Sequence, residues 1–181
     1  MKYILYGYWQ IIRYDLPRFF KNLRRFGKAL WQYRSYDPHG IYVFNYIGLT
    51  EMADHIEKYG LEVGESRLKK VQKMRRAAEI YKNFIDDTFI EQAESELGNL
   101  IVHPFEFEPV PDRENIFRFV DKENEEEKAH NRKVFDRARE IEEEQWAELY
   151  EILKGQDYTK FDDNVHFYDQ FDGSGLRGWW S

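Results

Sequence analysis

The 181-residue sequence has no cysteine, which excludes disulfides, thiolate metal sites and thiol catalysis. Its longest uncharged runs reach about a dozen residues, as from His39 to Thr50, and a membrane-spanning helix needs roughly 20. It carries no Asn-x-Ser/Thr sequon, and no small-x-small cleavage pattern follows the opening apolar stretch, so a cytoplasmic setting is expected. There is no glycine-rich phosphate loop with lysine, no serine nucleophile elbow and no His-Glu-x-x-His. Five scattered histidines provide little acid–base equipment near neutral pH. No catalytic residue, metal or cofactor is expected, and a binder is favoured over an enzyme.

What is present is charge and aromatic rings. Charged residues make up 34% of the chain, against about a quarter in an ordinary domain. Aromatics reach 18%, and disordered chains are poor in them, so the chain should fold under a very polar surface. The net charge of −7 is unevenly spread. Residues 1–36 hold eight bases and one acid, a net +7, and the remaining 145 hold 19 bases and 33 acids, a net −14. Such asymmetry suits a basic arm that meets something anionic.

Hydrophobic spacing predicts an all-α fold: an antiparallel helical bundle built on a long helical hairpin, with an extended crossover and an irregular aromatic C-terminal tail. A first helix should follow Pro17, with Phe19, Leu23, Phe26 and Leu30 on one stripe. A second should start at the Asp37-Pro38 cap and stop at Gly60 through a left-handed residue. A third is expected from Ser66 to Gly98 as a rod of roughly 48 Å. Residues 99–118 hold three of the five prolines and read as an extended crossover that could pair briefly as a strand. A fourth helix is expected over roughly 122–154, with an all-polar first half. The expected organisation is thus a basic aromatic arm (1–36), a helical core (37–154) and a tail (155–181) that packs on the core or on a partner subunit.

Several short patterns admit both a chemical and a plain reading. Gly173-Ser-Gly-Leu-Arg-Gly178 matches G-x-G-x-x-G, but only three residues follow, too few for the helix a dinucleotide needs. Its glycines are expected to form a tight turn that places Trp179 and Trp180, with Arg177 free to stack or to meet an anion. Glu127-x-x-His130 is half of a di-iron ligand pattern and reads better as a solvated face. Glu51 and His55 share a helix face, more simply a surface ion pair than a metal site. Asp86, Asp87, Glu91, Glu94 and Glu96 oppose the dipole of the third helix and call for an answering cation. Asp86 and Glu94 are the pair from which a metal-dependent hydrolase could be built. The arm has three readings: ordinary core with wet arginines, a site for phosphates and bases, or an amphipathic helix on an anionic membrane.

Several segments resemble a family of uncharacterised proteins of tailed bacteriophages. They are Leu30-Trp-Gln-Tyr-Arg-Ser-Tyr-Asp37, Met74-Arg-Arg-Ala-Ala78, Ala93-Glu-Ser-Glu-Leu-Gly98, Gln145-Trp146 before Leu153-Lys-Gly155, and Asp172-Gly-Ser-Gly-Leu-Arg-Gly-Trp-Trp180. The resemblance implies phage origin, expression in the host cytoplasm and helical architecture, and it transfers no catalytic residue. With basic and aromatic clusters at both ends, the expected function is counter-defence by sequestering an anionic nucleotide-type immune signal. Arg24, Arg25 and Arg34 are the expected phosphate contacts. Tyr36, Trp179 and Trp180 would stack on the base, and Arg177 would assist. A homo-oligomer could assemble such a pocket; no membrane or long nucleic acid is expected as a partner. The alternatives are a structural or protein-binding module and, third, a carboxylate-metal hydrolase of a nucleotide.

Overall fold

The computed structural model describes residues 9–62, 64–111, 113 and 115–179. Among these are six α-helices: α1 (Leu16–Gln32), α2 (His39–Tyr59), α3 (Gly64–Asp86), α4 (Phe89–Leu97), α5 (Glu125–Lys154) and α6 (Phe167–Gln170). The one sheet among the described residues is an antiparallel pair, β1 (Glu106–Pro109) and β2 (Phe117–Val120). The fold is an all-α bundle built on a helical hairpin. The chain divides into two compact units, one of residues 1–86 with 147–181 and one of residues 87–146.

In the first unit α2 and α3 pack antiparallel, with Tyr42 against Phe84 at one end and, further along, Arg75 on Asp54 and Glu57. Ala53, Ile56, Val71, Met74, Ala77 and Ile80 are buried between them. The alanines on the shared face let the backbones approach closely, and Met74 fills the remaining gap. The C-terminal turns of α5 close this core through Leu149 and Ile152. Arg76 on α3 clamps Glu148 on α5 with two bonds of 2.8 and 2.6 Å. α1 runs antiparallel to α2, with Phe26 stacked on Phe44, Ala29 buried and Arg25 paired with Glu51.

Three helix boundaries differ from those expected. Helical structure begins ahead of Pro17, and residues Ile11–Asp15 form a π-turn in which the Leu16 N–H reaches the Ile11 carbonyl. A proline has no N–H to give and its ring crowds the preceding turn, so the wider turn passes it without a break. Gly60 leaves α2 extended, at φ −61° and ψ 134°, so it is not a left-handed cap. The long third helix is divided at Asp87, which sits at φ 51°. The break falls at the acidic cluster that opposes the helix dipole, and Lys82 answers Asp86 one turn back.

In the second unit α4 and α5 run antiparallel, shown by Gln92 with Gln145 and Glu96 with Arg137. Phe89, Ala93, Val134, Ala138 and Ile141 are buried there. The crossover does pair as a strand, and its hairpin sets Phe107 opposite Phe119. Buried Asn131 of α5 fixes Ile101 of the crossover, accepting from its N–H and donating to its carbonyl, both at 2.9 Å.

The tail docks within its own chain. Lys69 of α3 donates to the carbonyls of Tyr168 and Phe171 at 2.8 and 2.9 Å. Trp179 is buried in the core of the first unit, and its indole N–H donates to the Gly173 carbonyl at 2.8 Å.

Candidate functional site

A cleft of about 420 Å³ lies where α1, α2 and α3 meet. Arg25 and Lys28 reach it from α1, His39 and Tyr46 from α2, and Lys82 and Asp86 from α3. Spacings of three, four and seven residues bring each group to one face of its helix. Val43, Ile47 and Ile85 also line it, so apolar surface lies beside the polar groups. Arg25 is paired with Glu51 and Lys82 with Asp86. The Asp86 carboxylate holds the Lys82 ammonium above its ordinary pKa. Lys28 and His39 make no ion pair among the described residues. Three cations thus face one lining carboxylate. The arrangement can hold an anion beside an aromatic ring and an apolar wall.

The expected ligand residues are not gathered in one place. Arg25 lines the cleft. Arg24, the next residue, is exposed on α1. Arg34 and Tyr36 lie in the connection between α1 and α2, where the guanidinium donates to the phenol oxygen at 3.1 Å. Arg177 is exposed in a 3₁₀ turn of the tail. Trp179 is only 4% exposed. A base cannot stack on its ring, because the site for such a ligand is already filled by the chain's own core. Trp180 lies outside the described residues. The arm and the tail also sit at opposite ends of the hairpin. Lys70 of α3 donates to the Gly178 carbonyl while Lys82 lines the cleft, and these residues are about 18 Å apart along a helix. Arg24 and Arg25 therefore do not converge with Arg177 within one chain. Lys28 was legible in the sequence as the turn after Arg24 and Arg25; Lys82, His39 and Tyr46 enter only through the packing of three helices.

The other clusters take structural partners. Lys70 is buried, pairs with Glu62 and donates to Gly178 at 2.7 Å. Glu127 meets His103 at 3.0 Å and accepts from the Asn124 N–H, while His130 meets the Asn99 carbonyl. The Asn124 bond, then His103, holds the Glu127 carboxyl below its usual range. Glu94 accepts from the Leu100 N–H at 2.8 Å and Asp86 from Lys82. These two acids fall in different units. Among the described residues no three His, Asp or Glu side chains group as a metal site would, and no helix is long and apolar enough to cross a membrane.

Glu148 supplies a pH test of the α3–α5 clamp. The Arg76 hydrogen bonds hold its carboxyl below the usual value of 4.5. A depressed carboxylate contributes stability above its unfolded pKa and loses it as pH falls through the folded one. Glu148→Gln should therefore destabilise the protein near neutral pH, with the difference from the parent shrinking below pH 4.5. Denaturant midpoints across that range check it, and a difference independent of pH would assign the effect to packing.

No protein-family model matches the chain, and neither does any curated protein or any solved structure.

Proposed function

We propose that this protein is a non-catalytic binder of a small phosphate-bearing ligand of the nucleotide class, held in the cleft of α1, α2 and α3. One observation carries the reading: Arg25, Lys28 and Lys82 converge on a concavity that also holds Tyr46 and an apolar wall. Cations answer phosphate, and the ring and apolar wall answer a base. Of the three cations, Lys28 has no ion pair among the described residues to give up, so it makes the first phosphate contact. Arg25 and Lys82 join by exchanging a carboxylate for the ligand. The phage resemblance supplies the setting, in which the ligand is an immune signal and binding removes it from circulation.

The test is native mass spectrometry after incubation with a panel of linear and cyclic nucleotides, followed by analysis of what heating releases. Intact ligand recovered after heating is the expected result. Lys28→Ala should then weaken binding by about tenfold or more, the worth of one charge-assisted hydrogen bond. Binding should also fall with added salt. A converted ligand would make the protein an enzyme. No retained nucleotide, or retention untouched by Lys28→Ala, would remove the cleft from consideration.

A further inference from the structure

We infer that α1 is an interfacial helix, whose outward face docks this protein on an anionic lipid surface. At about 100° per residue, Leu16, Phe19, Phe20, Leu23 and Leu30 fall within one arc of about 100°. All five are roughly half exposed, from 45% for Leu16 and Leu23 to 59% for Phe20. They are not the side of α1 that packs on α2, since that contact runs through Arg25, Phe26 and Ala29. A core helix hides its apolar stripe; this one turns the stripe outward. Trp31, at 90% exposure, stands at the edge of the arc. An indole has an apolar body and a polar tip, which suits the boundary between lipid and water.

Charge identifies the occupant. Arg18, Lys21 and Arg24 occupy the adjoining arc of about 120°. Residues 9–32 carry six bases and one acid, Asp15, a net +5. Arg18 has only the long, exposed contact of 3.7 Å to Asp15, and Lys21 and Arg24 make no ion pair among the described residues. A second copy of the chain set face to face on α1 would place +5 against +5. A bilayer with anionic headgroups meets both arcs at once: acyl chains take the phenylalanines and leucines, and phosphates take the bases. This departs from the expectation of no membrane partner and takes up the third reading of the arm, an amphipathic helix on an anionic membrane. Such a helix needs no spanning segment. The docking does not depend on the nucleotide reading, because neither the apolar arc nor Arg18, Lys21 and Arg24 line the cleft.

The experiment is flotation of the full chain with phosphatidylcholine vesicles, with and without phosphatidylglycerol. Binding is expected only where phosphatidylglycerol is present, and it should weaken with salt. Phe19→Ser with Phe20→Ser should reduce partitioning by at least about tenfold. These side chains are exposed, so helicity by circular dichroism should be unchanged. Arg18→Gln with Lys21→Gln should cost roughly fivefold for each base removed. Neither pair should change nucleotide retention. Equal binding to neutral and anionic vesicles would overturn the assignment. So would a chain that binds neither, whether it runs as a monomer or as a dimer that the Phe19/Phe20 variant dissociates. The dimer would show that two copies cover the face.

Discussion

Replacing Trp179 by Ala should lower the free energy of unfolding by about 4 kcal/mol, the upper range for a large buried side chain. The indole is 4% exposed and shares one core with Ile56, Val71, Met74 and Ile152. Its truncation removes apolar contact and leaves the Gly173 carbonyl without the donor it has at 2.8 Å. The two losses separate in a second variant. Trp179→Phe keeps most of the apolar volume and loses the donor, so it should cost about 1–2 kcal/mol. Urea denaturation of both variants measures the difference. A loss below about 1 kcal/mol for Trp179→Ala would mean that the tail contributes little to the core.

How the tail came to be ambiguous in the sequence follows from the same residues. Its rings favoured packing but left a base-stacking site open, because Tyr, Phe and Trp serve both. Burial decides between them, and burial depends on where the rest of the chain passes. The helical elements were more legible. Apolar spacing places α2 and the second half of α5 well, since each buries one stripe that its period reveals. The division at Asp87 was half legible: the acids of that stretch oppose the helix dipole, but periodicity runs through them without a break. For α1 the stripe is as clean as in any core helix, and only the structure shows that it faces outward. The cleft was the least legible feature. Its cations sit on two helices separated by more than fifty residues of sequence (Lys28 and Lys82) and are brought together by helix packing alone.

Gly173→Ala should be nearly as damaging as the loss of Trp179, about 3 kcal/mol or more, although it adds a single methyl group. Gly173 is at φ +89°, a region that L side chains rarely adopt. A Cβ there would stand 2.3 Å from the Lys69 carbonyl carbon and 2.7 Å from the Lys70 nitrogen. Both atoms belong to the backbone of α3, which cannot move aside without breaking its own ladder. The tail must therefore lift, and with it go the Lys69 bonds to Tyr168 and Phe171 and the seat of Trp179. Gly98→Ala is the matched control. It has a similar φ of +98°, but its Cβ would meet only the His130 ring at 3.8 Å. It should cost the backbone strain alone, about 1–2 kcal/mol. Denaturation midpoints, together with near-ultraviolet dichroism to follow the buried indole, compare the two. If Gly173→Ala costs no more than Gly98→Ala, backbone strain accounts for the whole effect. If it costs clearly more and the dichroism of the indole is lost, the close approach of tail to helix is what holds the C-terminal residues in the core.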